Sequence, residues 1–403
     1  MFRAYRPVLT VPNVWLFIVG GALARIGVAM FGVAVIVMIS QRRGSYTLAG
    51  AVTALGILVL AIAGPFIGRL ADKYGQRRAA LPFVVLAFVG ASATSYLSAQ
   101  MAPMWTIFLA YALASITPEL GPMSRARWVH IFRDEPQNLH SALSFEQVIE
   151  ELAFVLGPVL AVLLATTWFP EAGLVGAATL FGIGFTIFLL ADRTAPPITP
   201  HAQRPSGLAI RYAGVLPIAI ILVMTGVIFG SNEVIAVAIA EEAGLPRMSS
   251  VILAAFAFGS AVSAILFGTM TFRISQARRL LFAACGMFVL EAPAILVGAL
   301  WDLKALTIVM LVAGSATAPM MITAMALTQH LVPRALMTEA MAIAVTGVLI
   351  GISLGASAGG IIVDHIGPQL AFALPIGAGA IAAALAVVRY RALTRAEVAA
   401  TGT

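Results

Sequence analysis

The sequence predicts an all-α integral membrane protein with twelve membrane-spanning helices. Hydrophobic residues make up 61% of the 403 residues, charged residues make up only 10%, and the mean hydropathy is +1.01. So little polar surface cannot cover a water-soluble protein of this size. The charged residues also lie mostly between long apolar runs. An α-helix needs roughly 20 apolar residues to cross a hydrocarbon core about 30 Å thick.

Twelve apolar runs have about this length. We place them at 14–39, 47–70, 79–98, 103–124, 139–166, 173–191, 213–240, 249–272, 280–300, 305–330, 339–363 and 370–390. The longest polar interruption, 192–212, contains four prolines, which predict an extended linker. We therefore expect an N-terminal bundle of six helices (1–191), a cytoplasmic linker (192–212) and a C-terminal bundle of six helices (213–403).

The cationic residues between the spans indicate the orientation of the chain. If the N-terminus is cytoplasmic, nineteen arginines and lysines lie on cytoplasmic segments and four on outer segments. Short cytoplasmic loops are enriched in these residues, so both termini are predicted to be cytoplasmic. The same distribution explains the net charge of +7. The bases are not interleaved with aromatic residues, so we expect no nucleic-acid partner.

Residues typical of enzyme or metal sites are sparse. The single cysteine, Cys285, excludes an intramolecular disulfide. The sequence contains no Walker loop, no cluster of metal ligands and no nucleophile elbow. We therefore predict that the protein is not an enzyme and has no catalytic residue, metal or cofactor.

The most specific stretch lies between the second and third spans. From Gly68 to Arg78 it reads G-R-L-A-D-K-Y-G-Q-R-R, with Asp72 as a lone carboxylate among four bases. Gly68 and Gly75 would allow close backbone approach and a tight reversal. The stretch resembles the signature G-x-L-A-D-(R/K)-x-G-(R/K)-(R/K) of the major facilitator superfamily. A degenerate copy begins 200 residues later, at Gly268.

The resemblance implies two parallel bundles of six helices, a substrate site near the midplane, and a monomer in the bacterial cytoplasmic membrane. It also implies that Asp72 meets the start of the eleventh span and closes the cytoplasmic side when the transporter faces outward. We call this predicted contact the conformational latch. Its predicted residues are Gly68, Asp72, Gly75, Arg77, Arg125, Arg127 and Glu339.

Four charged residues within the first and fifth spans are candidates for proton coupling: Arg25, Glu146, Glu150 and Glu151. A charge at mid-bilayer costs roughly 3 kcal/mol, so each needs a partner or a cavity. Glu146 and Glu150 share a helix face, and Glu151 is turned away from it. The resemblance implies that helices 1 and 5 are neighbours, so we expect Arg25 to pair with Glu150 or Glu151. Such a pair either pins two helices together or sets the proton affinity of a carboxylate.

Candidate substrate contacts are more scattered. They are Asn232, Glu233, Met321, Met325 and Glu119. Methionine suits an adaptable apolar cavity, although ordinary packing would also account for it. On the eleventh span, Gly351, Gly355 and Gly359 recur every four residues and predict a close helix contact.

The resemblance implies a secondary transporter that works by alternating access. Few charges in the second half favour an amphipathic solute. The pair Gly157-Pro158 matches a fragment of the pattern that antiporters of the family carry on helix 5. We therefore expect proton-coupled export (antiport) of an amphipathic drug-like or metabolite molecule, with protons and membrane lipids as further partners. Three alternatives stay open: a proton-coupled uptake symporter, a lipid or lysolipid flippase, and a membrane sensor without transport activity.

Overall fold

The computed structural model describes residues 14–191, 194–197, 209–270, 274–333 and 336–401. In these residues the structure is almost entirely helical, without strands. The helices are α1 (Val14–Arg43), α2 (Tyr46–Tyr74), α3 (Gln76–Ala99), α4 (Met104–Ala114), α5 (Leu120–Ile131), α6 (Pro136–Thr167), α7 (Ala172–Leu190), α8 (Val215–Glu242), α9 (Met248–Thr269), α10 (Gln276–Glu291), α11 (Pro293–Ala299), α12 (Leu303–Gly314), α13 (Thr317–Leu331), α14 (Met337–Ile366), α15 (Pro368–Ala371) and α16 (Ala373–Thr401). The predicted all-α membrane fold is confirmed.

Eleven helical stretches in the described part of the chain are long and apolar enough to cross a membrane. The predicted fourth span, 103–124, is not one continuous helix. The chain leaves the helix after Ala114 and re-enters it at Leu120. Pro118 lies in this break, lacks a backbone N–H and disfavours the helical conformation of the residue before it. This part of the chain therefore forms two short helices, α4 and α5.

The described residues group into two compact units. The first comprises those of Met1–Arg43 and Val59–Ala202, and the second those of Gly44–Leu58 and Gln203–Thr403. The start of α2 therefore belongs to the second unit, and the rest of α2 to the first. Most of the predicted linker lies outside the described residues, and the predicted division into 1–191, 192–212 and 213–403 stays a prediction.

In the first unit, α1 and α7 are in backbone contact. A Cβ atom added at Gly20 would lie 2.4 Å from the backbone nitrogen of Phe188, and one added at Gly184 would lie 2.3 Å from that of Ala24. Buried aromatic side chains, among them Phe17 and Phe188, fill the space beside this contact. The α1–α7 pair thus fixes the position of α1, which carries Arg25.

In the second unit, α8 and α14 are equally close. A Cβ atom at Gly351 would lie 2.0 Å from the carbonyl oxygen of Val223, and one at Gly355 would lie 2.3 Å from that of Val227. Glycines leave room for this approach because they have no side chain. The predicted close contact of the eleventh span is therefore present, and its partner is α8.

Candidate functional site

Arg25 lies near the middle of α1 and is only 6% exposed. Its Nε donates a hydrogen bond to Glu150 Oε2 on α6 at 3.0 Å, and its Nη2 donates to Glu146 Oε1. The predicted ion pair between Arg25 and Glu150 is therefore present. The side chain of Glu151 lies outside the described residues.

Glu146 is enclosed by hydrogen-bond donors. Its Oε1 accepts from Ser124 Oγ as well as from Arg25. Its Oε2 accepts from Trp128 Nε1 at 2.7 Å. Glu146 is 5% exposed, so this carboxylate is removed from solvent but has strong partners on both oxygens. One cation and two neutral donors therefore point at this carboxylate.

Glu150 has different surroundings, although it lies one turn further along α6. Its carboxylate pairs with Arg25, and no second polar partner is seen for it among the described residues. The side chain of Glu150 is 30% exposed. Arg25 thus faces two carboxylates, of which one is enclosed and one is accessible. A single guanidinium balances one negative charge, so a proton on Glu150 would make the cluster neutral.

The local sequence explains how α5 contributes to this cluster. Ser124 and Trp128 are four residues apart and therefore share one helix face. The Trp128 ring is fully buried, with its centroid 4.6 Å from that of Phe17 and 5.9 Å from that of Phe132. This packing aims the indole N–H at Glu146. The sequence interpretation missed both Ser124 and Trp128.

Arg127, a predicted latch residue, is fully buried in the first unit. Its Nε donates to Gln76 Oε1 at 2.8 Å, and its Nη1 donates to the carbonyl oxygens of Phe188 and Ala191 at 2.9 and 3.0 Å. Its Cζ lies 3.8 Å from the centroid of the Phe188 ring. Arg127 therefore joins α5 to the end of α7 and the start of α3.

The other predicted latch residues give a mixed result. Gly75 has φ 86° and makes the predicted reversal between α2 and α3. At Gly68 the expected close approach is missing, because an added Cβ atom would meet no described atom within 4 Å. Arg77 and Arg125 are exposed. The side chains of Asp72 and Glu339 lie outside the described residues, so the latch stays a prediction.

Four of the five candidate substrate residues lie in the second unit. Asn232 is buried in α8, where its Nδ2 donates to Glu291 Oε1 of α10 at 2.9 Å. Glu233 is half-buried on the same helix. The half-buried Met321 and Met325 pack against the hydrophobic core of the second unit.

Glu119 belongs to the first unit, where it lies against α2. A Cβ atom added at Gly64 would lie 2.2 Å from Glu119 Oε1. Its half-buried carboxyl follows the break between α4 and α5. Substrate contact by these five residues stays a prediction.

Comparison with curated proteins gives a distant relative. Macrolide efflux protein A from Streptococcus pyogenes is 24% identical over 155 residues, which are 37% of this chain and 37% of that protein. The match thus spans little more than a third of the relative. A protein of the same name from Streptococcus pyogenes serotype M6 matches equally well.

Several solved structures share the fold. A bacterial homologue of the iron transporter ferroportin, in an inward-facing state, is 15% identical, with a TM-score of 0.70 over 94% of this chain and 98% of that one. The nucleoside transporter NupG is also 15% identical, with a TM-score of 0.69 over 94% and 99%. A POT family peptide transporter is 11% identical, with a TM-score of 0.69 over 95% and 96%.

The family model of the Major Facilitator Superfamily matches residues 17–347 and 218–402. These two matches together cover nearly the whole chain, and they agree with the resemblance carried by Gly68 to Arg78. The chain therefore belongs to the major facilitator superfamily and is a membrane transporter.

Proposed function

We propose that this transporter exports an amphipathic drug-like or metabolite molecule in exchange for protons, by alternating access. The observation that carries the proposal is the cluster of Arg25 with Glu146 and Glu150. It combines an enclosed carboxylate and an accessible one on a single buried guanidinium. We assign proton exchange to Glu150.

The depth of the cluster supports a role in coupling. Arg25 is the twelfth residue of α1, and at about 1.5 Å per residue it lies roughly 17 Å from the start of that helix. Glu150 is the fifteenth residue of α6. Both positions are near mid-membrane, where an unbalanced charge is costly. Binding of one proton therefore removes the unbalanced charge of the cluster. Arg25 stays part of the cluster with the proton bound or released.

We assign different roles to the two carboxylates. Protonation of Glu150 weakens its hydrogen bond with Arg25 Nε, because a neutral acceptor binds a guanidinium less strongly than an ionised one. Glu146 keeps Arg25 in place through Nη2, and Ser124 and Trp128 keep Glu146 in place. Proton binding can then change the α1–α6 contact without unfolding it.

Gly157, two turns after Glu150, links the site to helix packing. A Cβ atom added there would lie 2.6 Å from Ala29 Cβ on α1. This glycine is part of the antiporter-like fragment of the sequence, so α6 rests on α1 both at the ion pair and at the fragment. Export is further supported by the relative named as a macrolide efflux protein, over the part of the chain that it matches.

Transport coupled to protons can be tested in liposomes that hold an internal pH dye. Purified protein is challenged with a panel of amphipathic compounds, including a macrolide. Glu150→Gln is compared with Glu135→Gln, a matched control at an exposed acid before the start of α6. We expect compound-dependent proton movement with the wild type and the control, and its loss in Glu150→Gln.

Other outcomes would contradict separate parts of the proposal. Coupling that survives in Glu150→Gln and disappears in Glu151→Gln would move the proton to Glu151. Compound flux without proton movement would contradict coupling altogether. Movement of proton and compound in the same direction would indicate a symporter. Flux of labelled lipids, with no response to the compounds, would indicate a flippase.

A further inference from the structure

The start of α2 is capped by a carboxylate from α14. Asp364 Oδ1 accepts a hydrogen bond from the backbone N–H of Tyr46 at 2.9 Å. Its Oδ2 accepts from the backbone N–H of Thr47 at 2.7 Å and from Ser45 Oγ at 2.9 Å. The first N–H groups of a helix have no partner within the helix, and an anion is stabilised there by the helix dipole. Asp364 thus supplies the acceptors that the first N–H groups of α2 do not find within the helix. All these residues belong to the second unit.

Below this cap the two helices touch without intervening side chains. A Cβ atom at Gly360 would lie 2.2 Å from the carbonyl oxygen of Tyr46, and one at Gly50 would lie 2.2 Å from that of Ala356. Ser353 Oγ donates to the carbonyl oxygen of Ala54 at 3.0 Å. The contact therefore extends along about three turns of α14. It covers the part of α2 that groups with the second unit, and the rest of α2 groups with the first.

We propose that Asp364 is a gating residue: its hydrogen bonds hold the first turns of α2 on α14 in one state of the transport cycle, and their release opens the pathway on that side. Under the predicted orientation this is the outer side. The inference rests on the alternating-access cycle proposed above.

The chemistry of the cap suits a contact that forms and breaks. Three hydrogen bonds to an ionised carboxylate are stronger than neutral ones, but the partners are two backbone N–H groups and one hydroxyl that water can replace. None of these three donors carries a positive charge. Both states are therefore accessible, and removal of one donor should shift the balance measurably.

A cysteine introduced at a buried position of α2 can report whether this contact opens. Ala49 is fully buried and lies one turn into α2. Cys285 is the single native cysteine, so Ala49→Cys in a Cys285→Ala background carries one reporter thiol. Its rate of maleimide labelling is measured in purified protein in detergent, without substrate or a proton gradient. We expect Asp364→Asn to raise this rate roughly tenfold, because an amide donor then faces a backbone donor.

Two further variants complete the test. Ser45→Ala removes one donor and leaves the carboxylate, so it should raise the rate about two- to threefold. Asp302→Asn is the matched control, because Asp302 caps its own helix, α12, through Lys304 N and Ala305 N. It should leave the rate unchanged.

Equal labelling rates in wild type, Asp364→Asn and Ser45→Ala would overturn the proposal. If Asp364→Asn does not fold, the rate in Ser45→Ala decides. Failure of proton coupling would be seen in the vesicle assay with Glu150→Gln, while the increases in labelling rate at Ala49→Cys would persist. The two proposals can therefore fail separately.

Discussion

Glu146 in the first unit and Glu291 in the second are both buried acids on membrane helices, at 5% and 2% exposure. Glu146 receives hydrogen bonds from a guanidinium, an indole and a hydroxyl. Glu291 receives one from the neutral amide of Asn232. A cation and several donors can hold a charge away from water, whereas a single amide cannot. The two acids therefore differ in how well their surroundings can support a negative charge.

The largest effect should come from removing the cation of the first site. Arg25→Ala leaves Glu146 buried without its charge partner, which should cost about 3–5 kcal/mol of unfolding free energy. Thermal unfolding in detergent measures this. Arg391→Ala is the matched control, because Arg391 is an exposed cation on α16, and it should melt like the wild type. Wild-type melting of Arg25→Ala would show that the ion pair of Arg25 with Glu146 does not stabilise the protein.

A smaller effect should follow from removing the amide of the second site. Asn232→Leu keeps the branched shape of the side chain but leaves Glu291 without its donor, which should cost about 1–3 kcal/mol. Thermal unfolding is again the measurement, with Ile228→Leu on the same helix as a control for a change of shape without loss of a polar group. If Asn232→Leu melts like the control, the hydrogen bond to Glu291 contributes nothing to stability.

A third buried carboxylate, Glu171, extends the comparison to the ends of the spans. Burial raises its pKa, but hydrogen bonds from Arg42 and Ser98, with one from its own backbone, lower it more, so the pKa lies below the usual value of 4.5. The folded state then binds fewer protons than the unfolded state. Its stabilising contribution should be complete above pH 4.5 and be lost as the pH falls through the folded pKa.

The measurement for this third site is the melting temperature as a function of pH. Wild type should lose stability on acidification more steeply than Glu171→Gln, which has no proton to bind at this position. Parallel curves for the two proteins would mean that Glu171 has the same pKa in the folded and unfolded states.

The smallest effect should come from replacing the acid of the second site by its neutral isostere. Glu291→Gln keeps the size of a protonated carboxyl and its acceptor for Asn232, so the unfolding free energy should change by less than about 1 kcal/mol. The matching change at the first site, Glu146→Gln, should cost more, because three donors there point at the two carboxyl oxygens and the amide of Gln offers only one acceptor oxygen. Equal losses in the two variants would remove the distinction between the sites.

Part of this site could be predicted from the sequence. Arg25 and Glu150 interrupt long apolar runs, so their need for a partner is visible without a structure, and the family resemblance indicates which helices are neighbours. The enclosure of Glu146 by Ser124 and Trp128 was not visible, because a serine and a tryptophan in a helix do not indicate which acid they face. The helical spans followed from run length, although Pro118 divides the fourth and short breaks also divide the ninth, tenth and twelfth.

Most of the contacts that the sequence did not predict involve backbone groups. The sequence placed Arg127 in the predicted latch, yet carbonyl oxygens of Phe188 and Ala191 hold it in the interior of the first unit. Asp364 similarly reads as a residue near a helix end, and its partners are backbone N–H groups more than 300 positions earlier in the chain. Backbone groups are the same at every position, so sequence patterns do not reveal them.

Two of the backbone-to-backbone helix contacts, α1 with α7 and α8 with α14, also limit how this transporter can diversify. At Gly20, Gly184, Gly230 and Gly351 even a methyl group would overlap with the backbone of the neighbouring helix. Descendants of this sequence can therefore change little along these contacts without losing the fold. Substitutions that change the transported molecule have to occur on the remaining helix faces. A mutational survey should find these four glycines intolerant of substitution.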